Sequence, residues 1–154
     1  MAYDKEFLRS ARGRLVDDLL VLKAKGTVAT SMVGEDPLGT DTYYDTGGGR
    51  TRGDVVYNVY TVNASILPSV KYVLRLQGSK NSSFSTIVDL SIIELGDATQ
   101  LSGASDMTTG RYIVPFTNDF DDVVYRYLRH YITLSGTVGA TGMEYECYLS
   151  KITN

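Results

Sequence analysis

The chain has 154 residues, 43% of them hydrophobic, and a formal net charge of −3. That length fits one domain, which buries about 70% of the surface its unfolded chain exposes, so neither staples nor wholesale disorder are expected. The acidic balance excludes a general attraction for nucleic acid or an anionic membrane; the single Cys147 excludes an intrachain disulfide framework and a Cys-cluster zinc site; no apolar run nears spanning length.

Residues 1–25 read as an N-terminal arm, extended or partly helical. Phe7, Leu8, Leu15, Leu19, Leu20 and Leu22 mix with charges there, while Gly13 and the β-branched Val16 and Val21 weaken a helix. The opening Met-Ala-Tyr-Asp-Lys-Glu has no apolar stretch of the secretory kind, so synthesis in the cytoplasm is expected.

Residues 26–154 read as one β-sandwich domain. Tyr (12 residues) suits strands and Gly (15 residues) suits turns, so composition leans all-β before periodicity is considered. Thr27–Val33 is a short strand, Asp36-Pro37-Leu38-Gly39 a turn, and Thr40–Asp54 a long loop punctuated by Gly47-Gly48-Gly49. Val55–Val62 is a strong strand, and Val70–Gln77 alternates with Val70, Tyr72, Leu74 and Leu76 on one face. Ser85–Leu95 is a strand whose pattern changes near Ile92-Ile93, as at a bulge. Arg111–Phe116 is a strand whose Pro115 suits an edge, and Asn118–Asp122 is an acidic turn.

The segment 125–136 is the most informative. Leu128, His130, Ile132 and Leu134 fall on one face, and Tyr125, Tyr127, Arg129 and Tyr131 on the other. The first face suits a core. The second suits a partner, because Tyr and Arg are enriched in interface hot spots. A last strand, Met143–Ile152, turns Met143, Tyr145, Cys147 and Leu149 inward. These strands, with no helical pattern between them, point to an antiparallel sandwich, with a jelly roll the best fit.

Catalytic signals are weak. His130 is the only histidine and lies mid-strand among core residues, which suits a hydrogen-bonded interior imidazole. Cys147 reads as a buried, inert thiol. Asn118–Asp122 lacks the spacing of a calcium loop. Gly47–Gly53 lacks the Gly-Lys-Ser/Thr ending and following helix of a phosphate loop, and reads as a loop that Arg50 and Arg52 can anchor. No catalytic residue, cofactor or metal is expected, and the chain is not expected to be an enzyme.

Tyr72–Ser85 and Arg126–Thr137 carry a family likeness. The first is an apolar strand running through Gln77 into a Ser/Asn-rich turn and Phe84-Ser85; the second starts Arg-Tyr-Leu-Arg and leads through Tyr131 to Gly136-Thr137. Together with the Gly/Thr turn, Glu144–Leu149 and the arm's Asp4-Lys5 and Phe7-Leu8, they resemble the small capsid cement (decoration) proteins of tailed bacteriophages. The likeness covers most of residues 55–150; the leucine-rich 15–22 and the long Thr40–Asp54 loop depart from it.

The resemblance implies a jelly-roll homotrimer on the exterior of an icosahedral head, made in the host cytoplasm and clamping neighbouring major capsid subunits. The expected contact residues, toward another subunit or the capsid, are Tyr125, Tyr127, Arg129, Tyr131, Phe7, Leu8, Arg50 and Arg52. Direct nucleic-acid or membrane contact is not expected. Two other readings remain: a carbohydrate-binding β-sandwich for host recognition, which needs a Tyr-lined groove, and a small sandwich hydrolase, which needs two close carboxylates.

Overall fold

The structure is a computed structural model that describes residues 20–62, 71–96, 109–135 and 142–153, with side chains up to 150 in the last segment. It is an antiparallel all-β sandwich. Its strands are β1 (Val21–Val28), β2 (Met32–Val33), β3 (Tyr44–Asp45), β4 (Arg52–Val62), β5 (Lys71–Ser79), β6 (Val88–Gly96), β7 (Gly110–Thr117), β8 (Asp119–Phe120), β9 (Val123–Val124), β10 (Tyr127–Ser135) and β11 (Met143–Thr153).

One sheet has the order β1-β11-β4-β7. The other has the order β2-β10-β5-β6, with β3 also on β10. The chain therefore pairs as a ribbon folded back on itself: β1 with β11, β2 and β3 with β10, β4 with β7, and β5 with β6. The ribbon closes on itself where β11 meets β4 and β10 meets β5.

Alternation decides which residues fill the space between the sheets. Val55, Tyr57 and Val59 come from β4, Tyr72, Leu74 and Leu76 from β5, Leu128 and Ile132 from β10, and Met143, Tyr145, Cys147 and Leu149 from β11. Burying each large aliphatic side chain stabilises the fold by about 1.5–3 kcal/mol. Leu128, His130 and Ile132 of the 125–136 segment and Met143, Tyr145, Cys147 and Leu149 of the last strand are buried as expected, with Leu134 packed against the core.

Four local readings need correction. The strand expected at Thr27–Val33 is two strands, and β1 starts at Val21, inside the segment assigned to an arm; its Leu22 is a fully buried core residue. Bulges between Val21 and Lys23 and between Lys23 and Gly26 break the period-2 pattern there, which is why the strand was not legible. Residues 1–19, with Phe7 and Leu8, lie outside the described residues. The Thr40–Asp54 loop contains β3 and the first residues of β4. Finally, β6 does bulge, but the extra residue is Leu90, between the pairs Leu76–Ser91 and Gln77–Asp89.

β2 and β3 act as one interrupted edge strand along β10. Between them Glu35–Asp41 loops out, closed by a bridge between its end residues. The two sheets meet closely on this side: the Ala24 amide of β1 donates to the Glu35 carbonyl at 2.9 Å, while the Gly34 amide continues the β2–β10 pairing onto the His130 carbonyl at 2.9 Å. A side chain at Gly34 would meet the Leu22 carbonyl oxygen at 2.0 Å, so only glycine permits this approach.

Candidate interaction surface

The outward face of β10 carries Tyr127, Arg129 and Tyr131, each half-buried. Their cross-strand partners on β5 are Ser79, Gln77 and Arg75. Arg129 Nε donates to Gln77 Oε1 at 3.0 Å, and its guanidinium lies 4.4 Å from the Phe84 ring centre and 5.8 Å from that of Tyr131. Burial lowers the Arg129 pKa, with Asp41 and Tyr131 opposing. Stacked and hydrogen-bonded, the guanidinium is held in one place before any partner arrives.

The 40–54 segment builds the other half of this surface. β3 sets Tyr44 against the core and leaves Tyr43 outside, where its ring meets Phe84 edge-on at 6.1 Å and Tyr127 at 5.6 Å. Phe84 is 7% exposed despite lying in a turn at φ 51°, because Tyr43 and Arg129 cover it. Arg126 holds Asp45 in a fork, Nε to Oδ1 at 2.8 Å and Nη2 to Oδ2 at 3.0 Å. That bond to Arg126 is the main reason the Asp45 carboxyl lies below its ordinary value. Beyond Arg129 the same face continues as ion pairs, Arg75 with Asp89 at 3.4 Å and Lys71 with Glu94 at 2.7 Å. Tyr43 and Phe84 carried no periodic signal; only the fold brings them to Tyr127 and Arg129.

Tyr125 does not share this face. It precedes β10, and its Cβ lies 2.9 Å from where a Cβ at Gly78 would stand. Gly78 pairs with Leu128, so Tyr125 sits on the core side of the sheet. The cause is Asn118, fully buried, whose side-chain amide donates to the Tyr125 carbonyl at 3.1 Å and to the Gly49 carbonyl at 2.9 Å. Its Oδ1 accepts the Thr51 amide at 2.7 Å. One asparagine thus ties the Gly-rich loop to the approach to β10.

Arg50 and Arg52 are placed beside β8 and β7, not on the outward face of β10. Arg50 is near Asp119 at 3.9 Å and mostly exposed. Arg52 opens β4 opposite Thr117 and lines an open cleft of about 550 Å³ with Gly53, Asp54, Leu90, Pro115, Phe116 and Thr117. The cleft lies where β4 and β7 face β6. The acidic turn is a tight hairpin, β8 to β9, with Asp121 and Asp122 both at positive φ and Phe120 exposed.

The outer face of the other sheet is polar near Glu146, whose Oε1 accepts from Asn58 Nδ2 and the Tyr60 hydroxyl, each at 2.8 Å. Burial, then Glu146, pushes the Tyr60 phenol up to about 12. Lys25 Nζ covers the Tyr60 ring at 4.1 Å.

Inside the sandwich lies a buried polar cluster. His130 Nδ1 meets the Arg75 carbonyl at 3.0 Å, so it carries the proton, and Nε2 accepts from the Tyr145 hydroxyl at 2.6 Å. Burial drives the imidazole pKa down to about 3. Lys23, brought inward by the bulges, donates through Nζ to the carbonyls of Ala24, Gly26 and Tyr145 at 2.8, 3.1 and 3.0 Å. Its pKa falls to about 8, again through burial. The Cys147 thiol is raised by burial, as suits an inert side chain. Among the described residues, no group of three or more His, Cys, Asp or Glu could hold a metal ion.

No model of a known protein family matches the chain, and no curated protein matches it.

Proposed function

We propose that the chain is a capsid cement protein of a tailed bacteriophage, which binds the outside of an icosahedral head as a trimer and bridges major capsid subunits. The observation that carries this reading is the prearranged surface of Tyr43, Phe84, Tyr127, Arg129 and Tyr131. Aromatic rings and a guanidinium fixed by their own neighbours bind with little ordering cost, which is the economy an adhesive surface needs. The strand order supports the jelly-roll part of the reading: with β2 and β3 counted as one strand and the β8–β9 hairpin set aside, eight strands pair first with last and inward in sequence, as two Greek keys require. Trimerisation would multiply weak contacts with the shell into avidity.

The test is co-sedimentation of purified protein with expanded heads. Wild-type protein should pellet with heads, and Arg129→Glu should stay in the supernatant while keeping a wild-type circular dichroism spectrum at the assay temperature. Equal pelleting of the variant would remove this surface from the account.

A carbohydrate-binding module is the second reading. Exposed Tyr60 beside Asn58 and Glu146 favours it, since a ring flanked by an amide and a carboxylate suits a sugar. Lys25 over that ring opposes it. Glycan-array binding lost in Tyr60→Ala would support it.

A further inference from the structure

Tyr148 and Val56 are buried on the outward face of their sheet. Their neighbours along β11 and β4, namely Cys147, Leu149, Val55 and Tyr57, are core residues, so alternation turns the two between them away from the core. Yet Val56 is 3% exposed and Tyr148 8%. Two other large residues on this face, Tyr60 and Ile113, are 41% and 56% exposed, as suits a sheet with water on that side. The second sheet packs on the opposite face, so no described strand lies over Val56 and Tyr148. Something else covers them.

The two belong to one apolar row. Val21 of β1, Tyr148 of β11, Val56 of β4 and Ile113 of β7 are successive cross-strand partners. Arg111 Nη2 donates to the Tyr148 hydroxyl from the β7 side. Three inter-strand steps make the row about 14 Å wide.

The N-terminal segment is placed to lie on this row. β1 begins at Val21, so residues 1–19 enter the sheet beside Tyr148. A segment of that length spans about 28 Å as a helix and about 60 Å extended, and either form crosses the row. It brings Tyr3, Phe7, Leu8, Leu15, Val16 and Leu19 as apolar cover. The internal stretches outside the described residues start from elsewhere. Residues 63–70, 97–108 and 136–141 follow Val62, Gly96 and Ser135, which lie at one end of the sandwich with Lys71 and Met143. Val56 is six residues back from Val62 along β4, about 20 Å away. The longest of the three, 97–108, offers only Leu101 and Met107 as large apolar side chains.

We infer that residues 1–19 fold back over the outer face of the β1-β11-β4-β7 sheet of their own chain and are seated on Tyr148 and Val56. Phe7 and Leu8 then complete the chain's own fold instead of reaching for a partner. The Tyr43/Tyr127/Arg129/Tyr131 surface, on the opposite sheet, is left open. The inference goes beyond the proposed function and stands whether or not the chain binds a capsid.

The test is nuclear magnetic resonance of the full chain, isotope-labelled, with a nitroxide attached at Ile113→Cys. Cys147 is buried and its thiol raised by burial, so the tag goes to position 113. Amide signals within residues 3–15 should lose most of their intensity relative to the reduced, diamagnetic tag. They should keep it when the nitroxide sits at Ile92→Cys, a similarly exposed site on the outer face of the other sheet. Intensity kept with the tag at 113, or lost equally from both sites, overturns the inference. Refolding the tagged, labelled chain with a large excess of untagged, unlabelled chain should leave the loss unchanged. Recovery of the signals would put the segment on a neighbouring copy and overturn its seat on its own sheet.

Discussion

The His130 imidazole and the Tyr145 hydroxyl, 2.6 Å apart, join the two sheets through the centre of the core. His130 stands on β10 and Tyr145 on β11, and the bond works only while the ring is neutral at Nε2. The folded pKa, about 3, lies below the ordinary 6.5. The folded state therefore binds fewer protons than the unfolded state between these values. This contribution is complete above pH 6.5 and is lost as pH falls toward 3. Comparing urea unfolding at pH 7 and pH 5, wild type should lose about 2 kcal/mol more than His130→Phe, which cannot titrate. Equal losses would mean that the ring is not held neutral.

Lys23→Met should cost about 1–3 kcal/mol at pH 7, because the carbonyls of Ala24, Gly26 and Tyr145 lose a donor in or near the interior. The lowered pKa adds a second signature. Wild-type stability attributable to Lys23 should rise between pH 8 and the ordinary 10.5, where the folded state sheds its proton first. The difference between wild type and variant in denaturant midpoint, followed over that window, checks both.

Gly78→Ala should destabilise by about 1–3 kcal/mol through overpacking. The new methyl would meet Leu90 Cδ1 at 2.8 Å and Tyr125 Cβ at 2.9 Å. Thermal unfolding monitored by circular dichroism reads this directly. A neutral result would mean that Tyr125 does not pack on the core side.

Asn118→Ala should cost about 2–4 kcal/mol, since a fully buried amide satisfies groups at Thr51, Gly49 and Tyr125. Hydrogen exchange should quicken at the Thr51 amide, while amides in the centre of β5 keep their protection relative to global stability.

Much of the sandwich was legible from period-2 patterns. Leu128, His130 and Ile132 on β10, and Met143, Tyr145, Cys147 and Leu149 on β11, face inward because unbroken alternation leaves them no other choice. The pattern failed where bulges break it. Lys23 turns inward between two register shifts, so a charged residue hid the start of β1. The surface was half legible. Tyr127, Arg129 and Tyr131 follow from spacing, but Tyr43 and Phe84 reach them through β3 and a turn at positive φ, which no local pattern announces. Tyr125 departs from the expected face because alternation holds only from Tyr127, the first residue of the strand, and Asn118 holds the chain just before it.

The proposed place on a phage head can be checked by electron microscopy of the protein's native assembly. Three-fold density is expected on the exterior of an icosahedral head, with Tyr127, Arg129 and Tyr131 toward the major capsid subunits. The same protein found on a tail, or heads that carry none of it, would rule out that placement.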